Sequence, residues 1–421
     1  MQRTKNRKQG TTGKLGDTEN MTASASGIRF VTEPSRSRTF RAGWVIKDPW
    51  TVLENAGVVV AGGQIRKMVT PAPKGASVQD LGPGVLMAPL VNAHVHLELS
   101  ALKNRLPLGK GFAPWVAALL RERDAAGTGT LTAAAQKAAA SLQNMGVGLV
   151  GEISTLGITS QVLNTSGLAG VWFKEFLGGE QAYPGHKEQD PYLKKQFPLS
   201  FSAAGHAPHT TAPQLLTALK KRTSAAGLVF CLHVAESEVE MDFITGKRGE
   251  WTDFLASRGI DTTGWPVGNK TPVAYLHDLG VLDSATLGVH LLHVTDRDLD
   301  ILSRTGTKLC LCPRSNQNLH GRLPDIASLL ARNLAPALGT DSLASCDSLG
   351  IFDEMAFVRQ QYPQIPLPDL LAMATINGAR ALGLEQHGGT LDPGRAARLL
   401  YLDITARTPA DVMEKVTAYG V

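Results

Sequence analysis

Cysteine is scarce in this chain: four in 421 residues, at positions 231, 310, 312 and 346, with no CxxC pair among them. That spacing excludes a disulfide framework and leaves buried, reduced thiols as the expectation. Cys310 and Cys312 lie two apart in an apolar run, so on a strand both face the same way. Long hydrophobic runs are absent too. No stretch of 18 apolar residues occurs, which excludes a membrane-spanning helix, and the first residues lack the apolar segment of a signal peptide. A cytoplasmic protein is the expectation. Charge of one sign is also limited. The net charge is +5, of which residues 1–25 supply +3 through Arg3, Lys5, Arg7, Lys8 and Lys14 against Asp17 and Glu19. The rest is nearly balanced and carries no nucleic-acid or membrane signature. The tail has too few apolar residues to order itself, so a disordered basic extension is expected over residues 1–26.

What is present is enough for a large core. Hydrophobic residues make up 43%, and 43 glycines with 23 prolines provide many short turns. The length exceeds one typical domain and suits a barrel with a small appendage. Short β-rich runs occupy residues 27–31, 39–46, 57–60 and 64–69, with Gly62-Gly63 as a hairpin turn. A matching stretch follows Gly389-Thr-Leu-Asp-Pro-Gly394 and leads into the apolar run 399–402. A small composite β-sandwich domain is therefore expected from both chain ends, residues 27–85 and 388–421.

Residues 86–387 alternate apolar strands with helical patterns. Strands are expected at 87–96, 147–153, 170–176, 199–206, 227–233, 286–293, 308–313 and 335–341. Helical runs cover 131–145, 213–226, 296–304 and 368–381, two of them opening on proline. Eight such units predict an α/β fold, the (β/α)₈ TIM barrel, whose reactive groups sit where the strands end. Two connections, 97–130 and 238–286, are long and read as lid loops or substrate walls.

The strand ends carry the chemistry. His94 and His96 close the first strand on one side of it, so both imidazoles can meet one metal ion. His233 ends the fifth strand, His290 and His293 the sixth, and Asp341 the eighth. Pro89-Leu-Val-Asn-Ala-His-Val-His-Leu-Glu98, His233-Val-Ala-Glu236, Leu338-Gly-Thr-Asp341 and Ala374-Thr-Ile-Asn-Gly-Ala379 resemble the amidohydrolase superfamily. The branch is that of cytosine-, guanine- and adenosine-like deaminases and triazine hydrolases. The likeness extends over nearly everything after residue 27. One departure is Ala397-Arg398, where relatives usually carry Ala-Asp.

The resemblance implies one divalent metal, Zn²⁺ or Fe²⁺, on His94, His96, His233 and Asp341. The donor set does not choose between the two metals. It further implies that Asp341 takes a proton from the attacking water and that His290 orients it, with His293 the runner-up for that role. Glu236 would protonate a ring nitrogen. Lys174, on the third strand, reads as structural.

Around this set, His206 and His209 follow strand four, where relatives place a substrate-contacting histidine, and His206 matches better. Arg314, in Cys312-Pro-Arg-Ser-Asn316, suits capture of a carboxylate or phosphate, with a surface ion pair as the alternative. Glu175, Ser154 and Asn316 complete the candidate substrate contacts. Phe112 and Trp115 sit at i, i+3 spacing, as a packing face or a stacking platform. The Gly-Phe-x-x-Trp loop, Phe173-Lys-Glu before Gly178-Gly179 and Cys-Pro-Arg-Ser-Asn resemble the aminodeoxyfutalosine deaminases. Those enzymes act on a carboxyphenyl-bearing adenine nucleoside in the futalosine route to menaquinone. The resemblance thus implies a small-molecule substrate and allows a homodimer. Deamination or dechlorination of another heterocycle (guanine, cytosine, a 5′-modified adenosine or a triazine) is the competing enzymatic reading. A non-catalytic scaffold akin to the dihydropyrimidinase-related proteins is the competing class, and such scaffolds typically lose ligands that this chain retains.

Overall fold

The computed structural model describes residues 21–23, 27–31, 37–183, 191–247 and 249–420. Most of the expected basic extension lies outside the described residues. Its Met21–Ala23 segment pairs antiparallel with Arg29–Val31 and so joins the small sheet.

Eight parallel strands form the barrel in sequence order: Leu90–Val95, Val147–Ser154, Ala169–Phe176, Leu199–Gly205, Phe230–Val234, Thr286–His290, Lys308–Leu311 and Ala337–Leu338. Five of them are buried at every position, as strands covered on both faces must be. Strand eight closes on strand one. Val95 bridges Asp341 in parallel, the His96 amide donates to the Asp341 carbonyl at 2.8 Å, and the Asp341 amide donates to the His94 carbonyl at 3.1 Å. The seam of the barrel thus runs through three of the four predicted metal ligands, His94, His96 and Asp341. Gly339 permits that closeness: a Cβ there would stand 2.7 Å from Cys310 Sγ and 2.9 Å from His94 Cβ. All four cysteines are free and buried.

The chain ends build the appendage together. Leu399–Leu402 lies between Ile28–Val31 and Val85–Met87 in a six-stranded sheet, facing a four-stranded one. Arg398 straps this domain to the barrel, its guanidinium donating to the Gly148 carbonyl at 3.1 Å and the Gly167 carbonyl at 3.4 Å.

Several expected elements differ. The single strand at 87–96 is two: Val85–Met87 belongs to the small sheet and Leu90–Val95 to the barrel, split at Pro89, which lacks an amide donor. The run 39–46 divides into Arg38–Arg41 and Trp44–Asp48, one in each small sheet. The helix expected at 368–381 breaks at Thr375 into Leu367–Met373 and Ile376–Ala381. The long connections are helical rather than loops. After a 3₁₀ turn at Leu97–Leu102, the helix Phe112–Asn144 runs through most of the first, interrupted at Gly127, which adopts φ 71°. Glu238–Ile244, Glu250–Ser257 and Pro272–Asp278 fill the second. No helix among the described residues is long and apolar enough to cross a membrane.

Candidate active site

The ends of strands one, five, six and eight converge. His94 Nε2 and His96 Nε2 face each other at 3.2 Å, and Asp341 Oδ1 stands 3.9 and 3.7 Å from them. The His233 ring lies 5.0 Å from that of His94, centre to centre, and 5.3 Å from that of His290. The backbone bends sharply to achieve this. His290 and Asp341 adopt φ values of 80° and 62°, a left-handed conformation that costs a non-glycine residue about 1–3 kcal/mol. Barrel closure and the hydrogen bonds below hold both in place.

Each donor is oriented from behind. His233 Nδ1 lies 2.7 Å from the His206 carbonyl, which can only accept, so the proton sits on Nδ1 and the Nε2 lone pair is left free. Asp341 Oδ2 accepts from Ser315 Oγ at 2.6 Å and Ser345 Oγ at 2.9 Å, reserving Oδ1 for the cluster. Burial and the neighbouring imidazoles hold His94 well below the usual histidine range, so it is a neutral donor. Lone pairs and a carboxylate packed this closely, with no cationic side chain among them, can hold a divalent metal, with His94, His96 and Asp341 in one group of donors and His94, His233 and His290 in a second that shares His94. The residues fit the implied ion.

One short helix organises the other half of the site. In Pro313–His320, three residues reach inward: Ser315 to Asp341, Asn316 Nδ2 to His290 Nδ1 at 2.9 Å, and His320 Nε2 to Glu236 Oε1 at 3.3 Å. Glu236 Oε1 is also 3.6 Å from His290 Nε2. Burial alone would raise the Glu236 carboxyl, but the imidazoles of His290, His320 and His233 overcome it and hold Glu236 far below the usual carboxylate range. Burial, aided by His233 and resisted by Glu236, lowers His290 to about 4, leaving it neutral at physiological pH. Glu240 sets the bend that carries Glu236, accepting from the Ala235 and Glu236 amides at 2.8 Å each.

A cleft opens over this cluster, its wall reaching from Glu175, His206 and His209 to the aromatic side chains Phe112, Trp115 and Trp251. His206 Nδ1 is 2.6 Å from Thr210 Oγ1, and Glu175 accepts from Thr155 Oγ1 at 2.5 Å. Both ring nitrogens of His209 are buried without a partner. Phe112 and Trp115 stack on each other while also lining the cleft, so packing and platform coincide.

Three sequence expectations place side chains in the cleft that the structure puts elsewhere. Arg314 points away from it. On the helix Pro313–His320, a residue adjacent to Ser315 and Asn316 is turned by about 100°, so the guanidinium meets Asp347, the Ser348 carbonyl and buried Glu354 instead. The ion-pair alternative describes Arg314. Ser154 is fully buried and donates to Glu98 Oε2 at 2.6 Å, and Asn316 turns its Nδ2 to His290 and leaves its Oδ1 buried without a partner. His293 lies outside the cluster that His290 joins. Lys174 donates to the Thr155 and Glu175 carbonyls, a structural role. Sequence reading missed His320, Glu98, Glu240 and Trp251. Of these, only Glu98 had a signal, as the last residue of the strand-one motif.

The amidohydrolase family model matches residues 85–420, and the chain belongs to that family. It is a hydrolase acting on carbon–nitrogen bonds. The aminodeoxyfutalosine deaminase of Deinococcus radiodurans is 30% identical over 324 residues, covering 73% of this chain and 75% of its own. The Helicobacter pylori aminofutalosine deaminase, solved in complex with methylthio-coformycin, has TM-score 0.76 at 24% identity over 90% of this chain and 96% of that one. An adenosine deaminase from Xanthomonas campestris, solved with bound zinc, has TM-score 0.74 at 21% identity over 92% and 90%. Both solved structures share the fold.

Proposed function

We propose that this chain is a metal-dependent hydrolytic deaminase of a purine nucleoside, with aminodeoxyfutalosine the substrate best matched. The observation that carries the reading is Glu236, a buried carboxyl against His290 and His320 at the edge of the donor cluster and on the wall of the cleft. Peptide-like amide hydrolysis needs no group that protonates a ring. An amidine-type heterocycle does. Support also comes from the relative in Deinococcus radiodurans, which is named for that activity.

His94, His96, His233 and Asp341 would hold one zinc or iron ion, which supplies Lewis acidity and brings the pKa of water toward neutrality. Asp341 Oδ1 accepts the proton of the attacking water, while Ser315 and Ser345 keep its other oxygen occupied. His290, neutral and fixed by Asn316, orients that water. Glu236, a carboxylate in the free site, takes up one proton as substrate binds and delivers it to the ring nitrogen next to the attacked carbon, making that carbon electrophilic. The same carboxyl, steered by His320, then assists departure of ammonia. The apolar cleft walls exclude bulk water and accept the base and its substituent.

Incubation with a panel of 5′-substituted adenosines, following ammonia release and the adenine-to-hypoxanthine absorbance change, tests the proposal. Turnover of these nucleosides supports it. Turnover of guanine, cytosine or a triazine alone would move the chain to another heterocycle, and no turnover of any adenosine would sink the reading.

A further inference from the structure

Glu236 is a carboxylate in the free site and so has no proton of its own to give. The ring nitrogen of the substrate needs one. That proton has to wait on a neighbouring side chain, and two imidazoles share Glu236 Oε1: His290 Nε2 at 3.6 Å and His320 Nε2 at 3.3 Å. The tautomer of His290 excludes it. Asn316 Nδ2 donates to His290 Nδ1, so the single ring proton sits on Nε2, and giving it up would leave an imidazole anion. Burial, which lowers His290 to about 4, keeps a second proton off the ring at neutral pH. Other nearby groups are engaged elsewhere. His233 Nδ1 donates to the His206 carbonyl, and Glu240 turns its two oxygens to the Ala235 and Glu236 amides.

His320 is placed differently. It closes the helix Pro313–His320 with a side chain 8% exposed, and it stands outside the cleft lining. Phe112, at the start of the cleft-wall helix, packs on its ring at 5.4 Å, centre to centre. Half-buried His293, also outside the cleft lining, feels the charges of His320 and Glu236 as well as those of Glu238 and Arg322. The titratable and charged groups around His320 are therefore Glu236, His290 and His293, with Glu238 and Arg322 beyond them. A nucleoside seated over the donor cluster shuts water out of the cleft. The His320 side of Glu236 lies outside that volume.

We propose that His320 holds, as an imidazolium paired with the Glu236 carboxylate, the proton that Glu236 passes to the ring nitrogen. This rests on the nucleoside-deaminase reading and supplies the proton that its general acid lacks. His320 acts through Glu236 and touches no substrate, so it is a positioning residue that also stores a proton. The His320 Nε2–H bond breaks as a Glu236 O–H bond forms, and that O–H bond breaks as the ring N–H forms. The protons balance over one turnover. The attacking water gives up two: one leaves with ammonia, and the other, from the hydroxyl of the tetrahedral carbon, passes to solvent. Solvent returns one to His320 from the side of His293, away from the filled cleft.

His320→Gln separates proton storage from mere support. The glutamine amide N–H can still donate to Glu236 Oε1, but it has no proton to pass on. Single-turnover deamination of a 5′-substituted adenosine should slow about 10–100-fold, less than the about 10²–10⁴-fold of a whole proton transfer, because Glu236 remains. KM and metal content should stay at native values. The native rate should fall on the alkaline side as His320 empties, and His320→Gln should lose that limb. A variant within about threefold of native overturns the proposal. So does a slow variant that keeps the native alkaline limb, since its loss would then be structural. Histidine ¹⁵N NMR of the metal-loaded protein at neutral pH requires no turnover and separates the two failures. It should show the His320 ring protonated on both nitrogens, with a readier loss of that proton in Glu236→Gln. A doubly protonated His320 in a protein that deaminates no adenosine leaves the proton store standing and sinks the deaminase reading. Deamination by a protein whose His320 ring is neutral sinks the proton store alone.

Discussion

Replacing Glu236 by glutamine removes a proton carrier and leaves the shape of the site nearly unchanged. The amide oxygen still accepts from His320 Nε2, now 3.3 Å from Glu236 Oε1, and the Ala235–Glu236 bend is held by Glu240 through backbone amides that the substitution does not touch. Glu236 is not among the four proposed donors, so the substitution is expected to leave metal content unchanged. What is lost is protonation of the ring nitrogen in the transition state, a contribution of about 10²–10⁴-fold. That corresponds to about 3–5 kcal/mol of barrier. Because the carboxyl is desolvated, water gives little substitute delivery, so the upper half of that range is expected. Elemental analysis and single-turnover kinetics on a 5′-substituted adenosine read the two quantities separately. Glu236→Gln with full metal and a rate within about threefold of native would refute the assigned role. A parallel loss of metal would instead make Glu236 part of the metal's support.

Arg314→Ala is expected to leave the KM for any nucleoside unchanged, because the guanidinium points away from the cleft. It should lower stability by roughly 2–4 kcal/mol. That is somewhat below the about 3–5 kcal/mol for breaking a fully charged buried pair, since Glu354 is mostly protonated at neutral pH. A raised KM with an unchanged urea midpoint would contradict both parts. Glu354 itself predicts a pH dependence. Burial, opposed by Arg314, raises its carboxyl from the ordinary 4.5 to about 8, so the folded chain keeps a proton that the unfolded chain releases. Stability should therefore fall, by on the order of a few kcal/mol, as pH rises from about 4.5 to about 8. Glu354→Gln should flatten that decline, and an unchanged pH slope in the variant would rule the carboxyl out as its source. Ser315→Ala, which frees one lone pair of Asp341 Oδ2, should weaken metal retention measured by chelator competition while leaving the fold intact.

The barrel was legible because its strands, buried on both faces, read as continuous apolar runs, and because reactive groups recur at their ends. His94 and His96 on alternate strand positions, with His233 and Asp341 at later strand ends, needed only that topology to be brought together. The composite sheet was readable from two β-rich ends flanking a helical middle. Other features depended on direction rather than type. Arg314 and Asn316 stand two apart on one helix, yet the helical turn sends one to Glu354 and the other to His290. Ser154 follows a strand as a ligand contact would, but Glu98 captures its hydroxyl. His320 closes a helix whose start, not end, carried the motif, so no local pattern linked it to Glu236. The first connection, which Gly111 and Gly127 punctuate, was read from its length as a lid loop or substrate wall. The Ala-, Leu- and Arg-rich stretch between them forms a helix nonetheless.

In the proposed reaction, deamination depends on an ion held by His94, His96, His233 and Asp341. The direct measurement is a titration. Protein stripped by a chelator is reloaded with zinc or ferrous iron in steps, and ammonia release from a 5′-substituted adenosine is followed at each step. Activity should rise linearly and stop at one ion per chain, and Asp341→Asn should neither retain the ion tightly nor turn over substrate. Full activity in the stripped protein, a plateau at two ions, or undiminished turnover by Asp341→Asn would contradict it.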